Sequence, residues 1–112
     1  MSKPMHEPTY LILTSLLGGP LHGYAILGEV EALSDNKLRI GTLYAALDRL
    51  AGEGLVEIDS EEIVSGRLRR SYRLTALGET TFTAETERLE RLAKQARKRL
   101  RQRPALSRLE TQ

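Results

Sequence analysis

The densest group of chemically active side chains in this sequence is a set of arginines near residue 70. Four fall within a short stretch, and they are Arg67, Arg69, Arg70 and Arg73. A guanidinium group carries a permanent charge and a planar fork of donors, so it binds phosphate or carboxylate oxygens in two-point contacts. The cluster therefore indicates either a surface for a polyanion such as duplex DNA or a set of ion pairs within the protein.

The residues around this cluster predict a β-hairpin. Val56 and Ile58 alternate with acidic residues, and Ser65-Gly66 follows as a turn. Because side chains alternate between the faces of a strand, one face of the second strand is apolar and the other is cationic. The apolar face carries Leu68, Tyr72 and Leu74, and the cationic face carries Arg67, Arg69 and Arg73. Two interpretations stay open: a wing that contacts phosphates or a minor groove, or arginines neutralised across the strands by Glu57, Asp59, Glu61 and Glu62.

A second candidate surface is the outer face of a predicted third helix. Leu43, Ala46, Leu47 and Leu50 recur at helical spacing, and Gly54 is suited to end the segment. With the leucines buried, a helical wheel turns Gly41, Ala45, Asp48 and Gly52 outward. Small residues let a helix approach base edges closely, although the charge of Asp48 opposes DNA binding. The flanking side chains that could bind bases or phosphates are Arg39, Thr42, Tyr44 and Arg49.

A long helix is predicted after the hairpin, with Thr75 as its cap and an end near Arg103, before Pro104. Its apolar positions approximate a heptad seam, and they are Phe82, Leu89, Leu92, Ala96 and Leu100. A helix standing away from its domain cannot bury such a seam alone. We therefore expect a homodimer through this helix, with packing against its own domain as the alternative. The basic run over residues 94–103 is interpreted as a solvated face.

Two more helices precede these elements. Residues 8–17 form an apolar segment that Gly18-Gly19-Pro20 ends, and a second apolar pattern runs from Ile26 to Leu33. Three helices, a hairpin and one long helix follow the order of a winged helix-turn-helix. The sequence thus predicts a mainly α fold with a small β-hairpin, in three parts. These are a DNA-binding winged helix-turn-helix over residues 1–75, a dimerisation helix over residues 76–103 and a flexible tail over residues 104–112.

Composition restricts the class of protein. The 112 residues are 40% hydrophobic and 29% charged with a net charge of +2, and no apolar run is long enough to span a membrane. We see no export signal, so a cytoplasmic location is expected. With no cysteine and two histidines, we expect neither a metal nor another cofactor. Phosphate-binding loops and nucleophile motifs are missing too, and His22 is better placed for a helix-terminal role, so no enzymatic activity is expected.

Several short motifs follow one another in an order that resembles the PadR family of transcription regulators. They are Gly19-Pro20-Leu21-His22-Gly23-Tyr24, then Gly41-Thr42-Leu43-Tyr44 with Ala46-Leu47 and Leu50, then Glu53-Gly54-Leu55, then Gly66-Arg67 with Arg69 and Arg70, and finally Tyr72-Arg73-Leu74-Thr75 with Gly78. The resemblance spans about residues 10–80. The short length is similar to that of the subfamily with a single C-terminal helix.

The resemblance implies a dimeric winged-helix protein, usually a repressor, that binds a roughly two-fold symmetric operator and is released by a small-molecule effector. On this basis Thr42 and Tyr44 would read the groove of double-stranded DNA, and the region of Tyr24 would contact its backbone. The wing arginines Arg67, Arg69 and Arg70 would grip flanking phosphates or the minor groove.

Two departures from the family pattern matter. Ala45 stands where family members commonly have proline, and a helix accepts alanine more easily. Some small relatives bind flat aromatic compounds between tryptophans, whereas this chain has no tryptophan and Phe82 as its one phenylalanine; a pocket of that kind is not expected. Two other functions stay open, a winged-helix module that binds a protein and a dimeric small-molecule binder whose contact with DNA is secondary.

Overall fold

The computed structural model describes residues 4–35 and 37–104, and the order of its elements confirms the predicted architecture. Helix α1 (Glu7–Ser15) continues into a 3₁₀ turn (Leu16–Gly18), and a short strand β1 (Leu21–His22) leads into α2 (Gly23–Leu33). Helix α3 (Ile40–Gly52) precedes strands β2 (Val56–Val64) and β3 (Arg67–Leu74), and α4 (Ala76–Arg101) follows. Of the predicted tail over residues 104–112, residues 105–112 lie outside the described residues. None of the helices within 4–35 and 37–104 is both long and apolar enough to cross a bilayer.

The core lies between α1, α2, α3 and the base of the sheet. Its fully buried side chains come from the apolar positions that the helical periodicity indicated, namely Ile12, Leu13, Ile26, Leu43, Leu47 and Leu50. Val56 and Tyr72 complete it from β2 and β3. Leu33, the last residue of α2, belongs to the same pattern but stays half exposed. Burying one face of each helix removes apolar surface from water and fixes the orientation of the opposite faces.

The sheet has three antiparallel strands in the order β1-β3-β2, so the predicted hairpin gains one strand. Leu21 pairs with Tyr72 and His22 pairs with Ser71. A two-residue strand carries no periodicity of its own, which is why the sequence did not indicate it. The added strand attaches the base of the hairpin to the start of α2.

The junction between the wing and α4 is fixed by Thr75. Its hydroxyl oxygen accepts a hydrogen bond from the backbone N–H of Gly78 at 2.9 Å, which confirms the predicted helix cap. The same hydroxyl donates to the carbonyl oxygen of Gly54. A Cβ at Gly78 would overlap the carbonyl oxygen of Leu55, so only glycine lets the first turn of α4 approach the start of β2. The helix ends at Arg101, two residues before the predicted end.

Phe82 belongs to the domain's own core, which corrects its assignment to the exposed seam. Its ring stacks on Tyr10 of α1 at a centroid distance of 4.7 Å, and only 8% of the residue is exposed. The hydroxyl oxygens of Tyr10 and Thr86 lie 2.6 Å apart, one turn further along α4. For this first part of α4, the alternative of packing against its own domain is therefore correct. An aromatic residue has the same helical spacing whether a partner subunit or its own domain covers it.

A buried carboxylate also ties α4 to the N-terminal segment. Glu85 is 2% exposed, accepts the backbone N–H of Met5 at 3.1 Å and is bound by two nitrogens of Arg88 at 2.7 and 2.6 Å. The Arg88 hydrogen bonds and, to a smaller extent, that from Met5 lower the pKa of Glu85 from 4.5 to about 2, although burial acts in the opposite direction. A carboxyl group with a lowered pKa stabilises the fold when it is ionised.

We predict that Glu85→Gln lowers the melting temperature by several degrees at pH 7. Because the folded-state pKa lies below the unfolded one, the stabilisation is present above pH 4.5 and disappears as the pH falls towards about 2. The variant and the wild type should therefore converge over that window in thermal denaturation followed by circular dichroism. Glu87→Gln, at an exposed neighbouring position, is the matched control and should behave as wild type. A deficit of Glu85→Gln that stays the same at pH 2.5 would contradict the assignment.

Candidate nucleic-acid interface

The helix-turn-helix pair is formed by α2 and α3. The Nδ1 atom of His22 accepts the backbone N–H of Ala25 at 3.3 Å, so His22 caps α2, in agreement with the helix-terminal role expected for it. Tyr44 of α3 reaches over the first residue of α2, where a Cβ on Gly23 would lie 2.6 Å from its hydroxyl oxygen. Because Gly23 has no side chain, the Tyr44 ring can pack directly against the start of α2.

The outward face of α3 is the one that the helical wheel predicted. Leu43, Leu47 and Leu50 are fully buried, which turns the opposite positions to solvent. The exposed positions are Gly41, Thr42, Ala45, Asp48 and Gly52. Tyr44 is 39% exposed at the side of this face. Arg39 is also exposed, and it occupies the N-cap position of α3. The first two turns of α3 therefore present small residues and hydroxyl groups together.

The wing is a β2–β3 hairpin closed by a two-residue turn. Ser65 and Gly66 both have positive φ angles, 52° and 78°, the conformation that suits the twist of a tight hairpin. An irregularity at Asp59 shifts the register between Ile58 and Ser60. An extra residue in one strand turns every later side chain of that strand to the other face. In β2 the alternation therefore changes at residue 59.

Two of the four clustered arginines are ion-paired with the acidic strand. Arg73 contacts Glu57 at 2.7 Å and Asp59 at 3.5 Å, and Arg70 contacts Glu61 at 3.2 Å. In the part of the chain that the structure describes, no ion pair involves Arg67 or Arg69, even though Glu62 faces Arg69 across the strands. The ion-pair interpretation is thus correct for Arg70 and Arg73, at the base of the wing. Arg67 and Arg69, in its outer part, stay available for DNA, and that contact stays a prediction.

Five of the eight predicted DNA-binding residues, from three separate segments, meet at one cleft, and Arg39, Thr42 and Arg49 lie outside it. Its volume is about 150 Å³, and its walls include Tyr24 at the start of α2 and Tyr44 on α3. The wing contributes the remaining cationic wall, formed by Arg67, Arg69 and Arg70. A neighbouring depression joins Arg70 and Tyr72 to Tyr44 and Asp48. Burial raises the pKa of the Tyr72 hydroxyl, and the adjacent Arg70 acts in the opposite direction.

Comparison with known proteins shows the family. The model of the transcriptional regulator PadR-like family matches residues 12–84. The chain belongs to the PadR-like family. A protein of Mycobacterium tuberculosis named a transcriptional regulator is 42% identical over 86 residues, which cover 75% of this chain and 77% of that one. An uncharacterised transposon protein of Streptomyces fradiae is 40% identical over 88 residues, but this chain spans only 24% of its length.

Solved structures of PadR proteins share this fold. A PadR family transcription regulator from Clostridium difficile superposes with a TM-score of 0.74 at 26% identity, covering 85% of this chain and 99% of that one. The Bacillus subtilis PadR, solved in complex with operator DNA, superposes with a TM-score of 0.60 at 25% identity. That match covers 68% of this chain and 45% of the Bacillus chain. The winged-helix architecture of this PadR-like chain is thus the one found in its structural relatives.

Arg49 does not line the cleft, because its side chain turns towards α1, and its predicted contact with DNA stays a prediction. One of its terminal nitrogens donates to the Thr9 hydroxyl at 2.8 Å and the other contacts Glu53 at 3.3 Å. These bonds hold the guanidinium group between α1 and the C-terminal end of α3. On the helical wheel Arg49 lies at the edge of the outer face. A long side chain at that position can bend to either side, and here it bends towards the acceptors Thr9 and Glu53.

The sequence did not predict that residue 23 must be glycine for the site to form. The motif that places Gly23 before Tyr24 identified the segment, but it did not indicate the contact with Tyr44. The contact joins residues on two helices, so no local pattern contains it.

We predict that Gly23→Ala displaces the Tyr44 ring without unfolding the domain. The new Cβ would be 2.6 Å from the hydroxyl oxygen, whereas ordinary contacts begin at 3.4 Å, and the end of a tyrosine side chain is free to move. Chemical shifts of the Tyr44 ring in NMR spectra should change while the melting temperature stays within a few degrees of wild type. Gly28→Ala, with no atom within 4 Å of its new Cβ, should leave the ring in place and stabilise α2 by about 0.5–1 kcal/mol. A Tyr44 spectrum identical in both variants would refute the contact.

Proposed function

We propose that this PadR-like chain is a sequence-specific, DNA-binding transcription regulator that acts as a homodimeric repressor on a roughly two-fold symmetric operator. The observation that carries the proposal is the cleft in which Tyr24, Tyr44 and the unpaired Arg67 and Arg69 lie together. A cationic wing beside a helix with a small, exposed face offers both phosphate contacts and access to base edges.

Each part of the site has a distinct role in this proposal. Thr42 and Tyr44, in the first turns of α3, contact base edges in the major groove, because the N-terminal residues of a recognition helix point into the groove. Arg39 and Tyr24 contact the backbone at the two edges of that helix. Arg67 and Arg69 neutralise phosphates of the flanking DNA, and they do so without first breaking an ion pair. The operator complex of the Bacillus subtilis PadR supports DNA as the ligand.

The exposed part of α4 supports the homodimer. Beyond Arg88, α4 leaves the domain body, and its leucines are exposed, with exposed fractions of 38% for Leu89, 54% for Leu92 and 62% for Leu100. Together with the exposed Ala96 they form one apolar strip. The same strip on a second copy of the chain would cover it, because in a two-fold symmetric dimer both subunits contribute the same surface patch.

The charges of α4 favour an antiparallel arrangement of the two copies. Its four acidic side chains, Glu79, Glu85, Glu87 and Glu90, all precede residue 91, whereas residues 91–103 include no acidic side chain. The cations of this later stretch are Arg91, Lys94, Arg97, Lys98, Arg99, Arg101 and Arg103. A two-fold axis between residues 94 and 95 would place Leu89 of one copy opposite Leu100 of the other, and Glu90 opposite Arg99. Parallel helices would instead bring like charges together.

Repression and release by a small-molecule effector are the part of the proposal that rests on the family. A dimer seated on its operator would block access of the transcription machinery to overlapping promoter sequences. Release would follow from an effector that binds the free dimer more tightly than the DNA-bound one, because a ligand shifts an equilibrium only by its differential affinity. With no tryptophan in the chain, the effector would be held by contacts other than indole stacking.

The decisive measurement is the salt dependence of binding to duplexes selected by the protein from a random library. We predict that affinity falls steeply with rising salt, and that Arg67→Ala with Arg69→Ala reduces the slope by about 0.9 for each phosphate that is no longer neutralised. The weakening should be similar for selected and random duplexes, because phosphate contacts carry no sequence information.

Arg73→Ala is the matched control for this experiment, since Arg73 lies on the same strand but is paired with Glu57 and Asp59. It should leave the slope unchanged. An unchanged slope in the double variant would exclude the phosphate role of the wing. Binding that does not respond to salt, or no binding to any duplex, would favour a protein-interaction module instead.

We predict that Leu92→Lys converts the dimer to a monomer. In the antiparallel arrangement residue 92 lies level with Arg97 of the second copy, so the new ammonium group is buried beside a like charge, and the dimer dissociation constant should rise by at least about 100-fold. Sedimentation equilibrium measures this directly. Leu77→Lys is the control, because Leu77 is equally exposed at 54% but lies at the first turn of α4. If Leu92→Lys remains dimeric, the strip is not the interface.

A further inference from the structure

The tip of the wing carries an exposed apolar pair that the proposed phosphate contacts do not use. Ile63 on β2 and Leu68 on β3 are cross-strand partners just before the Ser65-Gly66 turn. Ile63 is 76% exposed, the highest fraction of any large hydrophobic side chain in the described residues, and Leu68 is 56% exposed. Exposed edge strands usually carry polar or charged residues at such positions, which prevents association with other chains. A pair of this kind therefore suggests a binding partner.

We propose that Ile63 and Leu68 form an apolar wedge that enters the minor groove of the bound duplex and bends it. This inference rests on the DNA binding proposed above and adds to it a second mode of recognition, through the deformability of the DNA. Apolar side chains inserted from the minor groove partly unstack a base step and kink the duplex towards the major groove.

The register of the wing places Ile63 and Leu68 on the face of the hairpin that looks towards α3. Leu68 and Arg70 lie with Tyr44 and Asp48 around one depression, so this face of β3 looks towards the exposed helix. The irregularity at Asp59 brings Ile63 to the same face as Ile58, although the two residues are five positions apart and regular alternation would put them on opposite faces. Without that extra residue Ile63 would point to the opposite side of the wing. DNA lying along α3 would thus meet the apolar side of the tip.

The charges beside the pair favour duplex DNA as its partner. Arg67 and Arg69 flank Leu68 directly in sequence on the opposite face of β3, line the same cleft along the edge of the strand and have no ion pair within the described ranges. Minor-groove proteins combine arginines, which the negative potential of the groove attracts, with apolar side chains that contact the sugars and open a base step. The narrow two-residue turn suits a groove only about 6 Å wide.

The test uses the full chain and compares the bend of a selected duplex, measured by energy transfer between dyes at its ends. The wild type should bend the duplex by at least about 20° and should select flexible pyrimidine–purine steps where the wing lies. Ile63→Thr with Leu68→Thr, which keeps the β propensity at residue 63, should lose at least half of the bend and the step preference. Its salt slope should stay that of wild type, because no charge is removed.

Two further variants keep the outcome decisive. Ile63→Val with Leu68→Met preserves an apolar tip and should retain the bend, which separates the chemistry of the wedge from any effect on hairpin stability. Leu33→Thr changes a similarly exposed leucine at the end of α2 and should bend DNA as wild type does. An unchanged bend and step preference in the Thr variant would overturn the wedge while leaving DNA binding intact. A wild type that binds no duplex would instead overturn the proposed function itself.

Discussion

Complete burial of three leucines on one side of α3 is the constraint on which the rest of the site depends. Leu43, Leu47 and Leu50 are each inaccessible to solvent, so α3 cannot rotate about its axis without exposing them. Its opposite face, the position of Tyr44 over Gly23 and the width of the cleft beside the wing follow from that orientation. A surface built from small residues is thus held in place by apolar contacts on the side away from it.

The attachment of α4 extends this constraint from the domain to the proposed dimer. Stacking of Phe82 on Tyr10, the Tyr10–Thr86 contact and the buried Glu85 carboxylate all join the first half of α4 to α1 or the N-terminal segment. At the other side, Thr75 and Gly78 fix the start of the helix against the wing. The exposed leucine strip therefore leaves the body in a defined direction, and that direction would set the distance between two recognition helices.

Electrostatics divides the wing into two parts with different properties. Arg70 and Arg73 are held by carboxylates of β2, and pairs of this exposed kind contribute little to stability. Because these pairs neutralise the base of the wing, its unpaired positive charge is confined to Arg67 and Arg69, close to the apolar tip. The wing then combines two side chains attracted to phosphate with two that avoid water, which is the combination expected of a contact with a groove rather than with the backbone alone.

The sequence by itself determined the order of the elements, the buried face of each helix, the capping residue Thr75 and the family, because periodicity, capping and motif order are local properties of the chain. The outward face of α3 followed from the same periodicity. Only the tertiary structure decided that Arg49 bonds Thr9, that Phe82 packs on Tyr10, and that two wing arginines are paired while two are free. It also decided the short strand at Leu21 and the register shift at Asp59. These features depend on which atoms meet across separate elements, and long side chains such as arginine reach partners that no local spacing specifies.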